Sequence, residues 1–431
     1  MKALKSFWLI LMLLFSGTIY AGPRDTISVM VYNLLFYGHY TSFCTQQNNN
    51  VDSKDESLRT IIGYTLPDIF AVNEMGPNPA NAGRILNNVM NADGRTNYAH
   101  ASYTNTTGSS LVNMLFYDTE KFVLYDEEVA ASVVRDINRY TLYYNDPDLG
   151  HGNDTIFLHL FVTHMKAGNS VQDQQRRTQE ANAVMNYIEE MNITGNALFM
   201  GDFNMNSSYE EAYQIITYNL NEAIRFYDPI DRPGVWWNNE DMAPYHTQSP
   251  RTGQHSCFVT GGLDDRYDQI LATKSVMEGY AGIQYLEGSY RAIGQDGQRF
   301  NQSLISPPNN SEPQELIYAM YNMSDHLPVK MKMTILDYFT EVDEIEYMPA
   351  IQRVRYNSGS ASVYIKVGDF TGKADLKMFS ASGSLIKQKK DFALFPGSEI
   401  IIFTGGLVPG PYVLRLDTDN GEFFTEKLII H

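Results

Sequence analysis

Between residues 26 and 335, short apolar runs alternate with stretches in which apolar residues recur at helical spacing. The runs Ile27–Tyr32, Asp68–Val72, Leu111–Tyr117, Ile156–Thr163, Ala197–Met200, Asp268–Ala272 and Pro328–Met333 are mostly rich in β-branched and aromatic residues, which predicts strands. Between them, Leu58, Ile61 and Ile62 share one helical face, as do Ile85, Leu86, Val89 and Met90. Ala181, Val184, Met185, Ile188 and Met191 keep the helical period for three turns. Strands alternating with helices predict an α/β layer architecture. Two long polar stretches, 228–266 and 286–316, interrupt it, and loops of that length in a compact domain are usually functional or disordered.

The pattern changes near residue 340. The acidic run Glu341-Val-Asp-Glu-Ile-Glu346 reads as a linker. After it come strictly alternating segments such as Ala361–Val367 and Tyr412–Leu416, with turn signals at Asp369, Ser382-Gly383, Gly405-Gly406 and Asp419–Gly421. Short strands without helical periodicity predict a small β-sandwich over 350–431. The expected organisation is a leader over 1–21, a catalytic domain over 22–335, a linker over 336–349 and the β-sandwich over 350–431.

Charge separates the two domains. The 431 residues carry a net charge of −18, while ten Lys/Arg against eight Asp/Glu give residues 350–431 a net +2. With Lys2 and Lys5 set aside, residues 22–349 carry −22. Such a surface does not hold nucleic acid by counterion release, although a local metal site can supply the missing positive charge. Cys44 and Cys257 exclude a disulfide scaffold and a four-cysteine zinc site, leaving one bridge or two free thiols. At the N-terminus, Lys2 and Lys5 precede the apolar run Phe7–Phe15 and the small residue Ala21, the layout of a secretory signal peptide. That run is too short to span a bilayer comfortably, and no later run is longer, so an exported, soluble and monomeric protein at the cell surface or outside the cell is expected.

The polar residues at strand tips carry the chemistry. Asn33, Glu74, His164, and Asp202 with Asn204 end four predicted strands; Asp268 opens a fifth; Asp325-His326 precedes a sixth. A polar residue at one strand end is ordinarily a cap, but six tips carrying Asn, Asp, Glu or His suggest a shared rim, where groups are held rigidly. Glu74 and Asn33 offer hard oxygen ligands suited to Mg²⁺, and no Cys/His cluster has zinc spacing. The histidines and remaining aspartates are then available for proton transfer and transition-state hydrogen bonds. Without a Ser or Cys nucleophile motif or a Gly-rich phosphate loop, the set favours direct attack by water on a phosphoester.

The blocks Val31-Tyr-Asn33, Val72-Asn-Glu74, Thr163-His164, Gly201-Asp-Phe-Asn204, Tyr267-Asp268 and Ser324-Asp-His326 resemble, in order, those of the endonuclease/exonuclease/phosphatase (deoxyribonuclease-I-like) superfamily. The resemblance covers roughly residues 26–335. It implies a four-layer α/β sandwich with two central mixed sheets and a Mg²⁺ or Mn²⁺ site on one rim. It implies that Glu74 binds the metal with Asn33 and Asp325, and that Asp268 orients His326. Asp202 and Asn204 would position the attacking water or a phosphate oxygen, and His164 would contact the phosphate and assist the leaving group. The general base is left open between Asp202 and His326. The activity implied is that of a phosphodiesterase of endonuclease type on DNA or RNA. A sphingomyelinase-like or inositol/lipid phosphatase is the alternative, and a surface-binding protein with an inactive site is the third reading.

The segments Met378-Phe-Ser-Ala-Ser-Gly383, Gly406-Leu-Val-Pro-Gly-Pro-Tyr-Val413 and Lys427-Leu-Ile-Ile-His431 resemble the C-terminal sorting domain of the type IX secretion system of Bacteroidetes. This implies an export machinery as partner; an accessory binding domain is the other reading. In the long loop, Trp236, Trp237, Tyr245, His246 and Arg251 either stack on a base, sugar or headgroup or pin the loop to the domain. Arg176 and Arg177 fit a phosphate contact or a solvated helix face. His159, set between Leu158 and Leu160, reads as structural.

Overall fold

The computed structural model describes residues 23–147, 149, 155–253, 255, 257–336, 351–357, 361–368, 370–380, 383–419 and 423–430. The expected leader over 1–21 and the linker from residue 337 lie outside them. So do the turn residues Asp369, Ser382 and Asn420-Gly421. The chain divides into two compact units, one before and one after residues 337–350.

The first unit contains thirteen strands and six α-helices among the described residues. In order, its first strands are β1 (Pro23–Tyr37), β2 (Ile69–Met75), β3 (Tyr98–His100), β4 (Val112–Asp118), β5 (Phe122–Ser132) and β6 (Asp136–Tyr144). Then come β7 (Phe157–His164), β8 (Ala197–Asp202), β9 (Phe226–Tyr227), β10 (Asp268–Thr273), β11 (Ile283–Tyr285), β12 (Arg291–Ala292) and β13 (Val329–Leu336). The helices are α1 (Val51–Thr65), α2 (Ala80–Ile85), α3 (Val171–Glu190), α4 (Glu211–Thr217), α5 (Lys274–Glu278) and α6 (Gln314–Met323).

Two mixed sheets form the centre. One runs β11-β13-β1-β2-β4-β3 with β12 beside β13, and the other runs β5-β6-β7-β8-β10-β9. Strands buried on both faces must be apolar on both, which is why β2, β4, β8 and β10 read as continuous apolar runs rather than alternating ones. Leu160, Val162, Leu198, Met200 and Ile270 share a core with β1, β2, β4, β13 and the apolar faces of α1 and α6. The opposite face of the second sheet, through Phe161, Phe199 and Leu271, packs with Ala181, Val184, Met185 and Ile188 of α3. The result is the expected four-layer α/β sandwich.

Each predicted strand forms, with ends shifted by a few residues. β1 differs most, continuing past Asn33 to Tyr37. Helix α3 begins earlier than its apolar pattern, at Val171, because Ser170 and Asp173 form a capping box that satisfies the free backbone N–H groups. The run after Ile85 leaves the α-helix for a π-helical turn over Leu86–Met90. The hairpin β5–β6 was not foreseen: β5 lies at a sheet edge and carries Asp126, Glu127 and Glu128, which dilute its apolar signal. No helix among the described residues is long and apolar enough to cross a membrane.

The second unit has a three-stranded and a four-stranded antiparallel sheet. Val363, Ile365 and Val367 of one share a core with Leu376, Met378, Leu414 and Leu416 of the other, giving the all-β sandwich expected from the alternating pattern.

Candidate active site

Strand direction brings the polar tips to one rim. β1 and β2 run parallel with Asn33 opposite Asn73, so Glu74 follows one position on. In the other sheet β7 and β8 run parallel with His164 opposite Asp202, and antiparallel β10 sets Asp268 on the other side of Asp202. β13 pairs antiparallel with β1, so the segment before it, Ser324-Asp325-His326, arrives at the same edge.

Gly201 makes the β7–β8 contact possible. It has φ +144°, and a Cβ there would lie 1.8 Å from the Thr163 carbonyl oxygen, so the step before Asp202 admits only glycine.

Asn33 joins the two sheets. Its Nδ2 donates to Glu74 Oε1 at 3.1 Å and to Asp202 Oδ2 at 3.0 Å, while its Oδ1 accepts from the Leu35 N–H. The Leu35 contact fixes the amide orientation, so Asn33 presents N–H to the carboxylates and not the oxygen expected of a metal ligand. Glu74 Oε2 accepts from the Phe36 N–H at 3.2 Å. Glu74 itself sits in left-handed backbone at φ 58°, as do Leu35, Phe36 and Asn204, conformations that are costly for such residues and cluster at functional sites.

His326 Nδ1 lies 2.6 Å from Asp268 Oδ2, and its Nε2 faces the cluster, 3.8 Å from Asp202 and 4.0 Å from Asp325. Ser324 Oγ donates to the Asn33 carbonyl and accepts from the His326 N–H, tying this segment to β1. His164 Nε2 lies 3.6 Å from Asp202 and 3.8 Å from Glu74. Asn204 follows β8; its N–H donates to Asp202 Oδ1 and its side chain donates to the Met165 carbonyl. Asp325 Oδ2 accepts from the Val259 N–H, while Oδ1 is buried with no hydrogen-bond partner. The structure thus brings Asn33, Glu74, His164, Asp202, Asn204, Asp268, Asp325 and His326 to one place.

The electrostatics follow from burial and crowding. Burial raises Asp202 to about 7, with Asp268 and Glu74 adding to the rise and His326 opposing it. Burial, then Asp325, raises Glu74. Burial alone would lower His326, but Asp268, Asp202 and Asp325 outweigh it and hold the ring protonated well above the ordinary histidine range. His164 is pushed well below that range by burial, then by Arg135 and His326, and is neutral. One imidazolium and one neutral imidazole therefore flank Asp202.

Among the described residues, two groups of side chains present metal-ligand atoms within 4.8 Å of one another: Glu74, His164 and Asp202, and Asp202, Asp268 and His326. Crowded carboxylates with raised affinity for protons, and the unpartnered Asp325 oxygen, fit a hard divalent cation.

Several participants carry no sequence signal of their own role. Asn73 donates to Asn113 Oδ1 and the Thr163 carbonyl and accepts from the Asp202 N–H, a second tie between sheets. An Asn inside the apolar run Val72-Asn-Glu74 was its only hint. Gln248, in the long loop, has its side-chain amide 2.7 Å from His326 Nε2. Buried Lys54 donates to the carbonyls of Leu34 and Met323, joining the Asn33 and His326 segments from α1.

The remaining candidates have structural partners. Trp236 is fully buried and donates to the Arg232 carbonyl, pinning the loop, while Trp237 is half exposed. His246 is buried between the carbonyls of Trp236 and Leu263. Arg251 stacks between Phe258 and Tyr321, and Tyr245 lies under Arg232. Arg177 is neither on a solvated face nor free for phosphate: it is buried and paired with Glu210. Arg176 is exposed and contacts Gln179. His159 contacts Thr141 and is structural. Cys44 and Cys257 form a disulfide.

No family model matches this chain, and no curated protein matches it. Among solved structures it is similar to an endonuclease/exonuclease/phosphatase from Bacteroides vulgatus, at 15% identity over 72% of this chain and 100% of that one, TM-score 0.45. An endonuclease/exonuclease/phosphatase family protein from Bacteroides thetaiotaomicron matches at 13% identity over 73% and 96%, TM-score 0.44. D. rerio TDP2, complexed with a single-strand DNA product, matches at 12% identity over 72% and 99%, TM-score 0.44.

Proposed function

We propose that the first unit is a divalent-metal-dependent phosphoester hydrolase, acting as a phosphodiesterase of endonuclease type. The observation that carries this reading is the pairing of a buried Asp268–His326 couple with the carboxylates Glu74 and Asp202 across one rim. Glu74 and Asp325, with Asp202 close by, would hold Mg²⁺ or Mn²⁺, which supplies Lewis-acid stabilisation of a phosphoryl oxygen. Asn33 keeps Glu74 and Asp202 in register across the sheets. Asp202, whose proton affinity burial raises, is the group suited to take a proton from the attacking water. His326, charged and oriented by Asp268, stabilises negative charge on the phosphoryl oxygens. His164, neutral, is placed to hydrogen-bond the ester, and Asn204 holds Asp202.

The test is turnover of bis-p-nitrophenyl phosphate with Mg²⁺ by the intact protein and by Glu74→Ala and His326→Ala. Each substitution should lower turnover about 10²-fold or more with circular dichroism unchanged. Unchanged turnover in Glu74→Ala would remove the metal assignment.

We further propose that the enzyme is exported, residues 350–431 being the address read by the export machinery. The Cys44–Cys257 disulfide supports an oxidising destination, because such bonds persist outside the cytosol. A chain of residues 22–340 should keep its specific activity, while deleting residues 350–431 in the host should retain the enzyme in the periplasm. Normal delivery without that unit would make it an accessory binding domain instead.

A further inference from the structure

The end of β1 and the turn after it run beside Glu74 in strained backbone and display aromatic rings. Leu35 and Phe36 are consecutive non-glycine residues in left-handed backbone, φ 44° and 51°, and Gly38 follows at φ 68°. The loop is fastened at each turn. The N–H of His39 donates to the Phe36 carbonyl, Asn49 Nδ2 donates to the same oxygen, and the Gly76 N–H donates to the Tyr37 carbonyl. Thr41 and Cys44 close the next turn, and Cys44 is bonded to Cys257. Leu35, Phe36, both cysteines and Phe258 make a small apolar cluster apart from the main cores.

On this support the rings of Phe36 and His39 stack at 6.0 Å and 15°, and Phe43 meets Phe36 edge-on at 6.2 Å. Phe43 is 52% exposed, and the backbone of Phe36 touches Glu74 Oε2. The cluster under this segment buries Leu35 and the disulfide but leaves Phe43 in water beside the carboxylates, so packing does not account for that ring.

Building on the phosphodiesterase reading, we propose that Phe36, His39 and Phe43 form a stacking shelf for a planar ring carried on the phosphate, a nucleobase. Charge decides which part of this occupant the surface can contact. Residues 22–349 carry −22, so the backbone of a nucleic acid is not held by a basic groove; an uncharged ring face is the part of a nucleotide that this surface can grip. Stacking also tolerates any base, which fits a shelf of rings with no hydrogen-bonding code.

The experiment compares two esters with one leaving group, thymidine 5′-(p-nitrophenyl phosphate) and methyl p-nitrophenyl phosphate, using the intact protein, Phe43→Ala and Phe43→Tyr. The shelf requires KM for the thymidine ester to rise roughly tenfold in Phe43→Ala at constant kcat, to recover in Phe43→Tyr, and to stay unchanged for the methyl ester. Equal effects on both esters, or none, overturn it. If the intact protein cleaves neither ester, the phosphodiesterase reading fails by itself. The shelf is then decided by calorimetric binding of the dinucleotide pTpT, which must weaken in Phe43→Ala; equal affinity overturns it. Loss of binding to phosphatidylcholine vesicles in Phe43→Ala, with pTpT binding intact, would overturn it in favour of a lipid surface.

Discussion

Asp268 and His326 meet at 2.6 Å although they come from different sheets, Asp268 from the first position of β10 and His326 from the segment entering β13. The carboxylate is buried, and the contact fixes which imidazole nitrogen faces Asp202. Asp268 thus orients His326 and is the first of the three carboxylates that hold its charge.

Replacing Asp268 with Asn should therefore lower kcat by about 10²-fold while KM changes little, since no substrate contact is removed. A large rise in KM at constant kcat would make Asp268 a substrate contact.

Cation binding should release protons. Asp202 at about 7 is largely protonated at pH 6.5, and a cation held beside it by Glu74 and Asp325 lowers its proton affinity. Calorimetric titration with Mg²⁺ in buffers of different ionisation heat should show release approaching one proton at pH 6.5 and far less at pH 8.5. Glu74→Ala should abolish the binding heat. Tight binding without proton release would place the cation away from Asp202.

Glu180 predicts a pH dependence of stability. It lies in α3, accepts from the Lys166 N–H, and leaves Oε1 unpartnered. Burial raises it from 4.5 to about 7, against the pull of that backbone bond and of Arg135, Arg177 and Lys166. The folded state then holds more protons than the unfolded state between those values, so this group's contribution to stability falls as pH rises through the window. Glu180→Gln should gain on the intact protein by up to about 3 kcal/mol between pH 4.5 and pH 8, read from denaturant midpoints. A constant difference across that range would rule the account out.

Gly201→Ala should cost about 3 kcal/mol or more, because the new methyl group meets the Thr163 carbonyl and neither backbone can yield without parting β7 from β8. A loss below about 1 kcal/mol in urea denaturation would show that the strands do separate cheaply.

The fold was legible where burial leaves a one-dimensional trace: strands covered on both faces must be apolar throughout, so Asn33, Glu74, His164 and Asp202 stand out as polar residues that burial alone would not select. Gln248, Lys54 and Glu180 left no such trace. Gln248 reaches His326 from 78 residues away out of a polar loop, where one more Gln is unremarkable. Lys54 and Glu180 sit on helices rich in exposed polar residues, and their neighbours belong to distant segments. Arg177 beside Arg176 looked solvated for the same reason. The β5–β6 hairpin was hidden by its acidic edge.

Asn33 gives the rim a sensitivity of its own. Its Nδ2 spans the seam between the sheets at 3.0 Å to Asp202 and 3.1 Å to Glu74, so the spacing of the reacting groups is the spacing of the two sheets. The interior is a ruler and the rim is where it is read. A slight swelling of the layer around Leu160 or Met200, too small to melt the protein, would separate Glu74 from Asp202 at once. Substitutions there that move one sheet against the other should lower turnover together with Tm, so the core and the chemistry of this chain are one problem rather than two.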